Sequence, residues 1–276
     1  MPEDLRKDTR GSSTRMVGCL CAAVLAGACA LTPAPAVAAE PAGALPGTPR
    51  GSTSETPAPG NGSTSAVTAT LSNLTTLTRW AYPQAAAAAR RSPSAHARVV
   101  GHLRFLTVDG QANVYLALRS YTLNGREWIE VPLPGRPNGR IGWVPAGALG
   151  ELQVTHQYLR VDRRTTRMTL YRDGLAVWNA PVGLGRPGLS TPAGRFYVTE
   201  KLQTIGGPVY GPYALGTSAY APTLAEWPGG GVVGIHGTDE PQLVPGYPSH
   251  GCIRLHNADI VQLYRMVEVG TPIEIV

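Results

Sequence analysis

Cysteine is scarce in this sequence, and its distribution excludes a disulfide framework. The chain has four cysteines, and three of them, Cys19, Cys21 and Cys29, lie near the N-terminus. Only Cys252 lies in the part of the chain that has the pattern of folded domains. If the protein is exported, a lone cysteine is either a partner in an intermolecular bridge or a reactive free thiol. Both interpretations stay open at this point.

An apolar run of full membrane-spanning length is also missing at the N-terminus. Residues 16–31 carry no charge, but this run is somewhat shorter than the roughly 20 apolar residues of a transmembrane helix. Basic residues precede the run, and the small residues Ala36-Val37-Ala38 follow it, as signal peptidase requires. We therefore predict a signal peptide over residues 1–38 and export to the cell wall or periplasm. An uncleaved membrane anchor is the alternative, and contact with the membrane is expected only in that case.

A strong charge of one sign is absent as well. The net charge is +6, from 24 basic and 18 acidic residues, and the basic residues are scattered along the chain. Nothing in this distribution resembles a nucleic-acid site. Large apolar residues are rare over residues 39–70, where Pro, Gly, Ser, Thr and Ala dominate. Such a composition cannot offset the entropy of ordering, so we predict a disordered tether there.

The rest of the chain has a mainly β pattern. Residues 71–95 are predicted as a helical or irregular lead-in segment, because a run of alanines follows Pro83. Residues 96–150 contain short apolar runs separated by dipeptides such as Asn124-Gly125, which favour tight turns. This spacing predicts a small β barrel. Its Trp-Ile-Glu-Val run, Pro/Gly/Arg loop and Gly-Trp-Val-Pro run resemble the bacterial SH3-like domains that are appended to cell-wall enzymes.

Residues 155–276 continue the strand pattern and contain the candidate catalytic residues. A long loop rich in Gly, Pro and aromatic residues is predicted over residues 206–231, and one helix is predicted to begin at Asn257 with an asparagine cap. His236 ends an apolar strand, and Cys252 follows a Ser-His-Gly turn. An imidazole can take the proton of a thiol and hold it as a nucleophilic thiolate. Arg254 would face the same side as Cys252 and could bind a substrate carboxylate.

Other interpretations of these side chains stay open. The N–H groups of Gly251 and Cys252 could form an oxyanion hole for acyl transfer. Alternatively, Cys252 is an inert buried thiol. A third possibility is a zinc site, whose ligands would be His236, His250, Cys252 and His256. The spacing of these four residues is irregular for structural zinc, and we expect neither a metal nor another cofactor.

Three segments together resemble the YkuD-type L,D-transpeptidases. They are Ile-His-Gly around His236, Ser-His-Gly-Cys-Ile-Arg-Leu around Cys252, and the Thr-Pro-Ala-Gly-Arg-Phe run that begins at Thr191. The resemblance implies a β-sandwich catalytic domain with one or two short helices, in which Cys252 is the nucleophile and His236 the base. It also implies roles in shaping or supporting the site for Ser249, His250, Gly251 and Arg254. Gly237 stands where other members have Ser, and its main-chain carbonyl would orient the histidine.

The same resemblance implies a substrate and a reaction. Cys252 would be acylated by a peptidoglycan tetrapeptide stem with release of D-Ala, and an amine of a second stem would take the acyl group to form a 3-3 cross-link. Water as the acceptor would give an L,D-carboxypeptidase. Carbapenems would acylate Cys252. In the long loop, Tyr210, Tyr213, Tyr220 and Trp227 are candidate lid residues, the three tyrosines as substrate contacts. A non-catalytic cell-wall-binding protein, built from the SH3-like module and a decayed catalytic domain, is the alternative of a different class. In the enzyme, the SH3-like domain is expected to be a separate targeting module, so that removing residues 96–149 weakens binding to whole sacculi more than turnover of a short soluble stem peptide.

Overall fold

Short strands dominate the structure, and the mainly β prediction is confirmed. The computed structural model describes residues 65–204, 207–224, 226 and 228–276. The predicted signal peptide, most of the predicted tether and Trp227 lie outside the described residues. The described strands divide into an N-terminal module, residues 65–155, and a C-terminal module, residues 156–276.

The N-terminal module consists of two antiparallel sheets. Its strands are β1 (Val67–Thr70), β2 (Thr78–Ala81), β3 (Ala88–Arg90), β4 (Val99–His102), β5 (Tyr115–Ala117), β6 (Arg119–Leu123), β7 (Arg126–Pro132), β8 (Ile141–Pro145) and β9 (Gln153–Thr155). One sheet has the order β1-β6-β7-β8-β3-β4 and the other the order β5-β2-β9. The predicted turn between β6 and β7 has positive φ at both Asn124 (51°) and Gly125 (73°). The local turn signal therefore sets this hairpin.

The lead-in segment over residues 71–95 differs from its helical or irregular prediction. It supplies β2 and β3, and Ala89 is fully buried in the core of the module. The helix preference of alanine is weak, and tertiary packing overrides it where a small side chain is needed. Strand β1 lies in the predicted tether and is exposed along its whole length. Because β1 is paired to β6 through its backbone, the composition of its side chains gives no sign of it.

The C-terminal module is built on one continuous sheet. Its elements are β10 (Gln157–Asp162), β11 (Arg167–Arg172), β12 (Leu175–Pro181), β13 (Gly183–Gly185), β14 (Gly194–Gln203), β15 (Tyr213–Thr217), β16 (Ile235–His236), β17 (Gly246–Ser249), β18 (Ile253–Arg254), α1 (Asn257–Met266) and β19 (Pro272–Ile275). The sheet has ten strands in the order β12-β11-β10-β19-β14-β15-β16-β18-β13-β17. It curls around a buried core that includes Leu159, Val198 and Ile273.

Residues 206–231, predicted as one long loop, contain the central strand β15. This strand pairs with both β14 and β16, and Leu215 in it is fully buried. Gly216 weakens the strand signal in the sequence, but the packing of the folded chain explains why a glycine stands there. A Cβ there would lie 2.4 Å from the carboxylate oxygen Oε1 of Glu200. A glycine inside a strand commonly marks such a close approach.

Helix α1 begins at Asn257 as predicted, but Asn257 does not cap it. The N-cap residue is His256, which makes no side-chain capping bond. The side-chain Oδ1 of Asn257 instead accepts a hydrogen bond from the Thr238 N–H at 2.9 Å, which ties the helix to the segment after β16. Ile260 and Leu263 bury the inner face of the helix. Within the described ranges, no helix is long and apolar enough to cross a membrane.

Candidate active site

Two short parallel strands carry the residues that the sequence singles out. In the pairing of β16 with β18, Ile235 lies opposite Ile253 and His236 lies opposite Arg254. Both isoleucines are fully buried in the core. Because side chains alternate along a strand, His236, Arg254 and Cys252 lie on the other face of the sheet.

A cavity of about 150 Å³ opens on that face and holds six of the predicted site residues. They are Tyr210, His236, Ser249, His250, Cys252 and Arg254. The remaining wall is apolar or glycine: Val209, Ala221, Leu224, Gly231, Val232 and Val233. A concave, mostly apolar site with a few convergent polar groups is typical of small-molecule and peptide-end binding.

The imidazole of His236 is fixed by the backbone carbonyl next to it. His236 is 4% exposed, and its Nδ1 lies 2.6 Å from the carbonyl oxygen of Gly237. A carbonyl can only accept, so Nδ1 carries the proton and Nε2 keeps a lone pair. A Cβ at Gly237 would lie 2.3 Å from Oδ1 of Asn257 and 2.9 Å from Cα of Gly211. Glycine at this position thus matches the close packing of α1 on the segment after His236.

Burial keeps both the imidazole and the thiol neutral. Burial lowers the pKa of His236 to about 4, and the charge of Arg254 lowers it further, while the Gly237 carbonyl acts in the opposite direction. Burial also raises the pKa of the Cys252 thiol, although Arg254 partly offsets this shift. The Sγ atom lies 4.0 Å from the carbonyl oxygen of Val232. This electrostatic environment favours a neutral pair over the thiolate–imidazolium pair expected from the sequence.

Two buried hydroxyls hold the turn before Cys252. The Ser249 hydroxyl donates to the carbonyl of Cys252 at 2.6 Å and accepts the Gly251 N–H at 3.1 Å. The Thr191 hydroxyl donates to the carbonyl of Gly251 at 2.9 Å. Because the Gly251 N–H is already bound to Ser249, this structure leaves the N–H of Cys252 as the oxyanion donor of the predicted pair.

Thr191 also fixes the direction of that remaining N–H group. The peptide bond between Gly251 and Cys252 is planar, so the carbonyl of one residue sets where the N–H of the next points. The Thr191 hydroxyl binds this carbonyl and accepts the N–H of Gly185 at 2.9 Å. In the sequence, Thr191 stands out only as the first residue of the Thr-Pro-Ala-Gly-Arg-Phe run, and the structure shows that its hydroxyl makes these two contacts.

Arg254 has a carboxylate partner that the sequence did not indicate. Its Nη1 lies 2.6 Å from Oε2 of Glu240. The two residues are 14 positions apart and lie on different elements, so no spacing rule relates them. The ion pair orients the guanidinium, and Arg254 still lines the cavity.

The three predicted loop tyrosines lie in different places. Tyr210 lines the cavity, with its ring edge-on to that of His236 at a centroid distance of 4.9 Å. Tyr213 stacks on Tyr264 of α1 at 4.2 Å. Tyr220 lies under the guanidinium of Arg136, 5.2 Å from ring centroid to Cζ. Neither Tyr213 nor Tyr220 lines the cavity that contains Cys252.

A second cavity, of about 220 Å³, lies between the two modules and contains no thiol. Its buried Glu200 accepts a hydrogen bond from the Thr107 hydroxyl at 2.6 Å. Burial raises the pKa of Glu200 to about 7, with a further contribution from Asp109. We place the active site in the smaller cavity, where the only described cysteine lies. In the part of the chain that the structure describes, no group of three or more His, Cys, Asp or Glu side chains could hold a metal ion.

Comparison with known proteins gives consistent matches for the C-terminal module. The family model YkuD, the L,D-transpeptidase catalytic domain, matches residues 156–275. YqjB of Bacillus subtilis (strain 168), described as "Putative L,D-transpeptidase", is 33% identical over 136 residues, which cover 46% of this chain and 76% of YqjB. YkuD of the same organism, with the same description, is 32% identical over 118 residues, covering 43% of this chain and 65% of YkuD.

Two further proteins are also similar to this chain. L,D-transpeptidase 1 of Mycobacterium tuberculosis is 31% identical over 117 residues, which cover 39% of this chain and 45% of that protein. The NMR structure of the catalytic domain from the E. faecium L,D-transpeptidase is 28% identical, with a TM-score of 0.34, and covers 44% of this chain and 96% of that domain. YqjB is thus matched over about three quarters of its own length at 33% identity, and this chain belongs to the YkuD family of L,D-transpeptidase catalytic domains.

Proposed function

We propose that this chain is an exported L,D-transpeptidase with Cys252 as its nucleophile and His236 as its general base. One observation carries the proposal. The two side chains line the same cavity, and the Gly237 carbonyl holds Nδ1 of His236 at 2.6 Å. Nε2 is therefore the atom left to take the thiol proton.

The first half of the reaction would be acylation of the thiol. Cys252 Sγ attacks the carbonyl carbon after the L-centre of diaminopimelate in a tetrapeptide stem, and its proton passes to Nε2 of His236. The resulting oxyanion is bound by the N–H of Cys252. The C–N bond then breaks, and His236 returns the proton to the leaving amine of D-Ala. The enzyme is left as a thioester with a neutral imidazole.

The second half would transfer the acyl group. An amine of a neighbouring stem attacks the thioester, His236 takes a proton from that amine, and Cys252 leaves as the thiol after the proton is returned. The new amide is a 3-3 cross-link. Water in place of the amine gives a trimmed stem, so the same site also supports L,D-carboxypeptidase activity. A carbapenem would acylate the same thiol through its strained β-lactam.

The neutral resting pair fits this sequence of steps. A low pKa at His236 keeps the imidazole unprotonated and able to accept a proton at neutral pH. A cysteine whose pKa is raised needs such a base at the moment of attack. Arg254, oriented by Glu240, is positioned to bind a carboxylate of the stem peptide.

Two further parts of the proposal concern the N-terminal half. We propose export through the segment over residues 1–38, and an SH3-like fold for residues 96–150, supported by the successive hairpin pairing of β6, β7 and β8. N-terminal sequencing of the protein recovered from the producing cell tests the first: a start after residue 38 supports cleavage, and a start at Met1 contradicts it.

The function is tested by product analysis with matched variants. The wild type, Cys252→Ala and His236→Ala are incubated with a diaminopimelate-containing disaccharide tetrapeptide, and the products are analysed by mass spectrometry. Loss of D-Ala together with a dimer mass, absent in both variants, supports the transpeptidase. Loss of D-Ala without dimer supports the carboxypeptidase. An unchanged substrate with folded wild-type protein contradicts both activities and favours a wall-binding protein.

A further inference from the structure

A loop of the N-terminal module contacts the wall of the Cys252 cavity through one arginine. Arg136 lies between β7 and β8, and each of its three guanidinium nitrogens donates to a backbone carbonyl of the C-terminal module. Nε donates to the carbonyl of Ala221, Nη1 to that of Gly230 and Nη2 to that of Leu224, each at 2.9 Å. One side chain thus joins the backbone of residues 221–224 to that of Gly230.

Asn138 of the same loop adds a second pair of contacts. Its Nδ2 donates to the carbonyl of Tyr220 at 2.7 Å, and its Oδ1 accepts the N–H of Tyr220 at 3.0 Å. The guanidinium of Arg136 also lies over the Tyr220 ring at 5.2 Å. The side-chain amide of Asn138 therefore pairs with the backbone of Tyr220 as the peptide group of a neighbouring strand would.

The bound segment is the wall of the cavity that contains the thiol. Ala221, Leu224 and Gly231 all line that cavity. The Ala221 N–H donates to the carbonyl of Gly231 at 2.8 Å, so the two arms of the segment lie side by side. The next carbonyl, that of Val232, is 4.0 Å from Sγ of Cys252.

The guanidinium occupies a space that only glycine leaves open. Gly231 has φ of +78°, and a Cβ there would lie 2.4 Å from Nη2 of Arg136 and 1.9 Å from the carbonyl oxygen of Leu224. A planar guanidinium holds its N–H donors in a rigid fork, whereas a lysine ammonium is a compact point charge. A lysine in place of Arg136 therefore cannot make all three hydrogen bonds at once.

We propose that Arg136 is a positioning residue for the active site, and that through it the N-terminal module supports the wall of the cavity in which Cys252 reacts. This inference deepens the proposed function and rests on it for its kinetic consequence. Without Arg136, the carbonyls of Ala221, Leu224 and Gly230 lose their donor, and the wall facing the thiol loses its fixed shape. A wall that must be ordered by substrate lowers binding and acylation together.

The kinetic test compares three variants of the full chain. Arg136→Ala is expected to lower kcat/KM for the disaccharide tetrapeptide at least tenfold, with a rise in KM. Arg136→Lys is expected to recover less than a third of this loss. Arg126→Ala is the control, because Arg126 is exposed at the start of β7 in the same module, and we expect a change of less than twofold. A folded Arg136→Ala variant within twofold of the wild type overturns the proposal.

Hydrogen exchange gives a readout that does not depend on the reaction. The Ala221 and Val233 amides, which donate to Gly231 and Ala219, are expected to exchange at least tenfold faster in Arg136→Ala and unchanged in Arg126→Ala. Unchanged exchange in Arg136→Ala overturns the proposal, even if the wild type proves inactive and the proposed function fails. If Arg136→Ala does not fold, Asn138→Ala is measured in the same way, and the same two outcomes decide.

Discussion

Replacing Thr191 by valine should destabilise the fold and slow the reaction for one shared reason. Valine keeps the branched shape of threonine but has no hydroxyl. Thr191 is 1% exposed, and its hydroxyl serves the Gly251 carbonyl and the Gly185 N–H. A buried polar group that loses its partner costs about 1–3 kcal/mol. Two such groups give an expected loss of about 2–6 kcal/mol in the free energy of unfolding, or roughly 4–24 °C in Tm.

The catalytic effect of this variant follows from the turn before Cys252. Without the Thr191 hydroxyl, the peptide between Gly251 and Cys252 can rotate, and the Cys252 N–H no longer points at the developing oxyanion. Loss of one oxyanion donor typically lowers kcat about 10²–10³-fold, and we expect about 10²-fold here because the donor is displaced and not removed.

Urea denaturation and steady-state kinetics at a temperature where both proteins are folded measure the two effects. Thr191→Ser is the matched control, since it keeps the hydroxyl and loses only a methyl group. We expect the serine variant to lie within about 1.5 kcal/mol of the wild type and to keep most of its kcat. A valine variant that matches the serine variant in both measurements would refute this account of Thr191.

Three other predictions concern charge and packing. Because burial lowers the pKa of His236 to about 4, kcat/KM should fall at acid pH with a midpoint near pH 4. A midpoint near pH 6.5 would contradict a neutral, buried base. Gly237→Ser should lower the free energy of unfolding by about 1–3 kcal/mol, because its side chain would overpack against Asn257. Adding Asn257→Ala to this variant should recover part of the loss in urea denaturation, and strictly additive losses for the two substitutions would argue against the contact. Glu200 has a folded pKa of about 7, above its ordinary 4.5, so its stabilising contribution is present below pH 4.5 and is lost as the pH rises through 7. As the pH rises from 5 to 8, the free energy of unfolding of Glu200→Gln should therefore increase relative to that of the wild type by about 1–3 kcal/mol. If the Tm of both proteins changes equally over this pH range, Glu200 does not have this role.

The wild type alone would not isolate Glu200, because His236 acts in the opposite direction. The folded-state pKa of His236 is lowered, so its contribution to stability is present above pH 6.5 and is lost as the pH falls toward 4. Both proteins share this histidine. The difference between wild type and Glu200→Gln at each pH therefore reports Glu200.

Local signals in the sequence account for much of the fold. The dipeptide Asp173-Gly174 is of a type that favours a tight turn, and it joins β11 to β12 with positive φ at both residues (51° and 78°). Strands with no local signal were not predicted. β1 is exposed and held by backbone pairing, and β15 lies between segments rich in glycine and proline. Pairing partners, which composition does not encode, decide these two strands.

The candidate site could also be predicted only in part. The motifs around His236 and Cys252 identify both residues from the sequence, and strand alternation brings them to one cavity. The groups that hold the site are distant in sequence. Glu240 binds Arg254, and Arg136 binds the cavity wall across 85 or more residues. No periodicity or spacing relates such pairs, so only the folded chain reveals them.

The contact made by Arg136 also changes what we expect of the N-terminal module. The sequence suggested a separate targeting module, whose removal would weaken binding to whole sacculi more than turnover of a short soluble stem. Removal of residues 96–149 takes away Arg136 and Asn138, which bind the segment that lines the Cys252 cavity. We now expect turnover of the soluble stem to fall as well.

Trapping the acylated enzyme tests the central claim most directly. The wild type is mixed with the disaccharide tetrapeptide without an acceptor, quenched in acid, and examined by intact-protein mass spectrometry and peptide mapping. The account predicts a disaccharide-tripeptide adduct on the peptide that contains Cys252, formed much more slowly in His236→Ala and not at all in Cys252→Ala. An adduct on another residue, or release of D-Ala that persists in Cys252→Ala, would contradict it.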